Sequence, residues 1–254
     1  MAILLALYSV IKYVSYLVFK GPLNFNIELL FWIFNGVFFG AFKGSIFSIL
    51  CDTIFCFMTT GIGYWMIEYA IIPPLVSIIS WGYLKLYKDN DNKIIILSIL
   101  AISLIIISSI IIFFFQLINN NFVYEGVNST KVLPIAIYCL IIFMCFSIVL
   151  FSGYSLFKFK ASKNWDYIKR IYLLSLILLI IVIFRWIWGP YAYLQFSHRF
   201  FSKNIDFSRQ YPLSLFGIVT KSYLTIPIAS SIVIPIIKVL EKFKDYEQLE
   251  NKFI

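Results

Sequence analysis

The feature that most constrains this 254-residue chain is an unbroken apolar run from Ile94 to Ile118, in which no side chain is ionised. An α-helix over this run is about 37 Å long, enough to cross the ~30 Å hydrocarbon core of a bilayer. Similar runs recur, so hydrophobic residues make up 61 % and charged residues 13 % of the sequence, against about 45–50 % and about 25 % in soluble domains. A water-soluble enzyme is excluded, because a soluble chain of this length could not bury so much apolar surface. A membrane β-barrel is disfavoured, since its strands alternate apolar and polar residues.

The apolar runs predict an all-α polytopic membrane protein with about eight transmembrane helices, forming one integral membrane domain over residues 1–254. The expected crossings are Ala2–Phe19, Ile27–Ala41, Ser45–Thr59, Tyr64–Leu84, Ile94–Ile118, Leu133–Phe157, Ile171–Trp188 and Leu213–Val239. The second and third are short, and only Phe42-Lys43-Gly44 separates them. Glycines at 36, 40 and 44 follow one another at four-residue spacing. Such a ladder is typical of close helix packing and here runs through a tight turn.

The distribution of basic residues predicts the orientation of the chain. With eight crossings and a cytoplasmic N-terminus, the cytoplasmic segments contain 13 of the 21 lysines and arginines. These are Lys43, Lys85, Lys88, Lys93, Lys158, Lys160, Lys163, Lys169, Arg170, Lys238, Lys242, Lys244 and Lys252. Both termini are therefore expected in the cytoplasm.

Apart from Lys238 at the cytoplasmic end of the last crossing, six ionisable side chains fall within the expected crossings, where each one costs a few kcal/mol unless it faces a cavity or a partner. They are Lys12, Glu28, Asp52, Glu68, Arg185 and Lys221. For Glu28, near a helix end, contact with water is an alternative to contact with a ligand. For Lys12 and Asp52, a structural ion pair or a helix-packing hydrogen bond is favoured over ligand contact.

The most informative cluster lies at the outer end of the seventh crossing. Arg185, Trp186 and Trp188 run into an expected outer loop, Tyr191–Pro212. The loop contains one histidine and three basic residues: His198, Arg199, Lys203 and Arg209. Aromatic rings can enclose a flat ring while arginine binds a carboxylate with two hydrogen bonds, so the cluster suits an organic anion that has an aromatic ring. The alternative is an interfacial aromatic belt with basic residues at the water surface.

A second aromatic group is expected on the same side of the membrane. Gly61 and Gly63 permit a tight turn, and Tyr64, Trp65 and Glu68 follow at the start of a helix. These residues fit either the lining of a binding pocket or anchorage at the interface.

The sequence has no phosphate-binding loop, metal-ligand set or catalytic triad. The four cysteines, Cys51, Cys56, Cys139 and Cys145, lie within apolar runs without neighbouring histidines, which favours packing over metal binding. We therefore expect no catalytic residues, no bound cofactor and no nucleic-acid partner.

Several segments share their order and their small-residue patterns with one family. Ala2–Tyr13, AILLALYSVIKY, has an A-x-x-x-A pair at Ala2 and Ala6. Asn35–Asp52, NGVFFGAFKGSIFSILCD, matches GxxFGPxxGxxxGxxxD except at Ala41 and Ser48. Together with Thr59–Lys88 and Lys221–Ile228, these segments resemble the substrate-binding (S) components of energy-coupling factor (ECF) vitamin transporters, the folate-type branch most.

The resemblance implies a six-helix S-component core in residues 1–92 and 158–254, with a two-helix insertion in residues 93–157. It implies a plasma-membrane subunit without enzymatic activity that binds a vitamin, most similar to a folate binder. The partners would be the bilayer, a transmembrane T subunit that docks on Ala2 and Ala6, and two ATPase subunits.

From the charge pattern and the resemblance, the expected substrate-binding residues are Glu28, Tyr64, Trp65, Glu68, Arg185, Trp186, Trp188, Arg199, Arg209 and Lys221. Three alternatives stay open: an S component for riboflavin, pantothenate, niacin or thiamine, a membrane scaffold, and a lipid-processing membrane enzyme. The enzyme would require Glu28, Asp52, Glu68 and His198 to converge.

Overall fold

The computed structural model describes residues 2–18, 28–59, 61–89, 91–118, 132–201 and 207–250, and these are almost all helical (96 %). The helices are α1 Ala2–Val18, α2 Glu28–Thr59, α3 Ile67–Ala70, α4 Ile72–Asp89, α5 Asp91–Ile118, α6 Val132–Ser162, α7 Asp166–Ile180, α8 Trp188–Phe201 and α9 Phe207–Glu250. A short 3₁₀ turn, Ile62–Tyr64, precedes α3, and a π-helical segment, Ile181–Ile187, joins α7 to α8.

Among the described residues, three helical stretches are by length and composition sufficient to cross a membrane: Glu28–Thr59, Ile67–Leu86 and Asp166–Phe201. Shorter apolar helices in the described residues cover Leu5–Val14, Lys93–Ser108 and Thr225–Leu240. The expected all-α architecture with apolar helices of membrane-spanning length is confirmed. The number of eight crossings stays a prediction.

The α2 segment consists of two helices joined by a kink, because the chain folds back on itself at Gly40. This residue has φ +79° and ψ −178°, a conformation essentially restricted to glycine. Asn35 Nδ2 donates to Ser48 Oγ at 2.9 Å, whereas 13 residues of straight helix would separate them by about 20 Å. The expected hairpin of two short helices is thus present, but its reversal lies at Gly40, before the predicted Phe42–Gly44 turn.

The hairpin packs closely against α4. A Cβ atom on Gly36 would lie 2.1 Å from the carbonyl oxygen of Ser77, and one on Gly44 would lie 2.5 Å from that of Asn35. Ser77 Oγ donates to the carbonyl of Trp32 at 2.9 Å and lies 2.7 Å from Ser48 Oγ. We call this contact the glycine–serine seam. It confirms close packing as the role of Gly36 and Gly44 in the glycine ladder.

Helix α7 is the centre of the bundle, because it is apolar and buried on all sides. Its residues share one core cluster with α4, α9 and both helices of the 93–157 region, to which Ile94, Ile105 and Ile148 contribute. Tyr172 Oη donates to the carbonyl of Tyr83 at 2.7 Å. A smaller cluster of Tyr8, Phe47 and Cys51 packs α1 against the hairpin.

Basic residues gather at one end of the bundle, here called the basic end. A Cβ atom on Gly40 would lie 3.8 Å from the ring of Trp81, and the Lys85 ammonium lies 5.5 Å from the centroid of the same ring. Lys238 Nζ lies 3.6 Å from Asp166 Oδ2. The turn of the hairpin, the end of α4 and the start of α7 belong to this end, and they carry basic residues that the sequence assigned to one side of the membrane.

The predicted outer loop Tyr191–Pro212 is wrong. Residues 188–201 form α8, and α9 already begins at Phe207; residues 202–206, which include Lys203, lie outside the described residues. Pro190 lies within the continuous helical stretch Asp166–Phe201, where a proline leaves one backbone carbonyl of the preceding turn without its usual N–H partner. The π-helical segment before it shifts the hydrogen bonding, so that Trp188 N–H donates to the carbonyl of Ile183.

Candidate functional site

The end opposite the basic end begins with a sharp turn at Gly61. This glycine has φ +88°, and its N–H donates to the carbonyl of Cys56 at 2.9 Å, which ends α2. Tyr64 N–H then donates to the Gly61 carbonyl at 3.2 Å and closes the 3₁₀ turn. The predicted tight turn is confirmed at Gly61, and it directs the chain into the single turn of α3.

Aromatic rings hold this turn and α3 against α8. The ring of Tyr64 lies 5.1 Å from that of Phe200 and 6.1 Å from that of Phe196. The ring of Tyr69 lies 6.3 Å from that of Phe196. We call residues 61–70 together with α8 the aromatic end. Two groups that the sequence treated as separate, around Glu68 and around Arg199, therefore form one surface.

Glu68 makes the polar links between α3 and α8. Its carbonyl accepts a hydrogen bond from Trp188 Nε1 at 2.7 Å, and its Oε1 lies 3.5 Å from Arg199 Nη2. The Arg199 side chain is 54 % exposed and the Glu68 side chain 16 %. Oε2 of Glu68 is buried and has no hydrogen-bond partner among the described residues.

Arg185 is partly buried in the π-helical segment. Its guanidinium interacts electrostatically with Tyr69, the neighbour of Glu68, and with Lys12 of α1. No carboxylate of the described residues lies within ion-pair distance of it. A partly buried guanidinium without a carboxylate attracts an anion, because burial without a counter-charge is unfavourable.

Lys12 connects α1 with both arms of the hairpin. It forms an ion pair with Glu28 at the start of the first arm, and its ammonium lies 4.5 Å from the ring centroid of Phe55 on the second. It also interacts electrostatically with Asp52. This is the structural ion pair expected for Lys12, and it gives Glu28 a protein partner.

The other predicted substrate-binding residues occupy different positions. Trp186 is 1 % exposed and donates from Nε1 to Ser222 Oγ at 3.0 Å, so its side chain packs in the core. Trp65 and Lys221 are exposed. The side chain of Arg209 lies outside the described residues.

The two alanines of the A-x-x-x-A pair both lie on α1. Ala6 is exposed beside Leu7, Val10 and Val14, which are also exposed. The side chain of Ala2 lies outside the described residues. Among the described part of the chain, no group of three or more His, Cys, Asp or Glu side chains has an arrangement that could bind a metal ion.

Sequence reasoning missed Tyr69, Phe196 and Phe200 as parts of the site. Phe196 and Phe200 are four residues apart and lie on one face of a helix. This signal becomes visible only when residues 188–201 are recognised as helical.

Comparison with family models, with curated proteins and with solved structures found no match.

Proposed function

We propose that this chain is the substrate-binding membrane subunit of an ECF-type vitamin importer. It lies in the plasma membrane with both termini in the cytoplasm and binds an anionic vitamin with an aromatic ring, folate or a reduced folate. One observation carries the proposal. At the end opposite the basic end, Arg185, which has no carboxylate partner among the described residues, lies beside a surface formed by aromatic rings and a Glu68–Arg199 pair.

This combination matches the chemistry of such a ligand. Tyr64 and Trp65 are exposed, and Trp188 is partly buried beside Tyr191 at a ring distance of 5.5 Å. Their faces provide stacking surface for a flat heterocycle. The Arg185 guanidinium provides a forked donor for the carboxylate.

The exposed face of α1 supports the proposed partner. Ala6 is flanked by Leu7, Val10 and Val14, all of which are exposed. A small residue within an apolar face lets another helix approach closely, so this face is the proposed contact with the T subunit. Two partner ATPase subunits supply the energy of transport, and this chain contributes neither catalytic residues nor a cofactor.

The function is tested by thermal-shift screening of the purified full-length chain against folate, riboflavin, pantothenate, nicotinate and thiamine, followed by titration calorimetry with each vitamin that stabilises it. We expect stabilisation by folate. Stabilisation by another vitamin instead identifies an S component of different specificity. An absence of stabilisation by every vitamin, with no copurifying T subunit or ATPases, contradicts the proposal and favours a scaffold or a lipid-processing enzyme.

Arg185→Ala tests the anion site. We expect it to weaken vitamin binding about 10- to 100-fold, since a hydrogen bond to a charged group contributes about 1.5–3 kcal/mol. The matched control is Arg170→Ala, which removes an exposed arginine from the basic end. Unchanged affinity in Arg185→Ala would exclude this residue from the site.

A further inference from the structure

The two carboxylate oxygens of Glu68 have different surroundings. Oε1 lies 3.5 Å from Arg199 Nη2. Oε2 is buried, and no described residue donates a hydrogen bond to it. The side chain as a whole is 16 % exposed, so bulk water reaches little of it.

A buried oxygen without a donor is unusual. Nearly all buried polar atoms in proteins have a hydrogen-bond partner, and leaving one without a partner costs about 1–3 kcal/mol, more for a charged group. The nearest indole donor, Trp188 Nε1, is already engaged by the Glu68 carbonyl. The rings that pack around α3, those of Tyr64, Phe196 and Phe200, present carbon faces to one another.

The groups near Glu68 Oε2 indicate which kind of ligand could donate a hydrogen bond to it. Tyr69 follows Glu68 in α3 and interacts electrostatically with Arg185. An acceptor and a guanidinium without a carboxylate partner among the described residues therefore both lie near Tyr69. A ligand that spans them needs an N–H donor at one end and an acidic group at the other.

We propose that Glu68 Oε2 accepts a hydrogen bond from an amino group on the ring of the ligand, while Arg185 binds the carboxylate of the ligand. This inference rests on the proposed vitamin-binding function and narrows its substrate class. The ligand is a ring-bearing carboxylate with an amino donor on the ring, as in a pterin. A pyridine carboxylate is excluded, because its ring nitrogen only accepts. Arg199 is a positioning residue that holds the other oxygen of Glu68 and so orients Oε2.

The experiment compares three probes on the purified full-length protein by titration calorimetry. They are folic acid, a folic acid analogue with a methyl group in place of the 2-amino group, and nicotinic acid, which lacks an N–H donor. The variants are Glu68→Gln and, as the matched acid-to-amide control at the basic end, Asp166→Asn. Using the analogue on the wild-type chain tests the same hydrogen bond without any change to the protein.

We expect the wild-type chain and Asp166→Asn to bind folic acid at least about 10-fold more tightly than the analogue and to show no binding of nicotinic acid. In Glu68→Gln, folic acid should bind about 10- to 100-fold more weakly, and the preference over the analogue should disappear.

Two results overturn the inference while the vitamin-binding function survives. One is that Glu68→Gln keeps both the affinity for folic acid and the preference over the analogue. The other is that the wild-type chain prefers nicotinic acid. If the wild-type chain binds none of the three probes, the inference fails together with the proposed folate specificity.

Discussion

The glycine–serine seam makes a sharp prediction for Gly36→Ala. A Cβ atom at this position would lie 2.1 Å from the Ser77 carbonyl oxygen and 2.8 Å from its carbonyl carbon. Ordinary contact begins at 3.4 Å, and the atoms in the way belong to backbone, which cannot rotate aside. The hairpin and α4 must therefore separate by about 1.3 Å.

That separation also removes hydrogen bonds. The Ser48–Ser77 contact of 2.7 Å and the bond from Ser77 to the Trp32 carbonyl at 2.9 Å would both lengthen to about 4 Å. Each bond contributes about 0.5–1.5 kcal/mol, and overpacking adds about 1–3 kcal/mol. Helix propensity returns about 1 kcal/mol, because alanine replaces glycine. The net loss of stability is about 1–5 kcal/mol.

The assay is thermal unfolding of the full-length protein in detergent, followed by size-exclusion chromatography of heated samples. We expect Gly36→Ala to lower the apparent midpoint by about 2–20 °C, from about 2–4 °C per kcal/mol for a chain of this size. The control is Gly82→Ala on α4, where a Cβ atom meets nothing within 4 Å; its midpoint should stay the same or rise. Equal midpoints for Gly36→Ala and the wild-type chain would refute the close approach of the hairpin and α4.

Two further substitutions test the hairpin and its link to α1. Gly40→Ala should destabilise the protein by about 1–3 kcal/mol, because φ +79° with ψ −178° is strained for any residue with a Cβ; a midpoint equal to that of the wild-type chain would contradict the reversal at Gly40. Lys12→Met should cost about 3 kcal/mol by leaving Glu28 without its counter-charge, and Lys12→Met/Glu28→Gln should recover part of this loss. A double-mutant cycle on the thermal midpoints measures the recovery, and a coupling of zero would mean that the ion pair contributes nothing.

The sequence predicted the helices well where the apolar runs end at charges or turn residues. Helices α1, α5 and α6 begin and end within about five residues of the expected bounds. The position of the reversal at Gly40 was not predictable, because glycines at 36, 40 and 44 each permit a turn. Only the packing of Gly36 against Ser77 and of Gly44 against Asn35 leaves Gly40 as the residue that reverses the chain.

The sequence identified several residues of the aromatic end but did not predict that they lie together. Arg185, Glu68 and Arg199 were predicted as candidate site residues because charged side chains are rare in this apolar chain. Their arrangement depends on α8, most of which the sequence prediction assigned to the outer loop Tyr191–Pro212. Trp186 could not be told from Trp188 by sequence, since the two differ only in the direction that the π-helical segment gives them. One is buried against Ser222 and the other donates to Glu68.

The seam and the aromatic end also differ in how early they can form during synthesis. The hydrogen bonds of the seam join residues 29 and 45 positions apart, so all its parts have been synthesised once α4 is complete. The bond between Trp188 and Glu68 spans 120 positions, and α3 must wait for α5, α6 and α7 before its partner emerges. Local contacts form faster than distant ones, and chains assemble from the N-terminus during translation. Helices α2 and α4 are therefore expected to pack early and to act as a template for the later helices, and the environment of Glu68 is completed only by the last third of the chain.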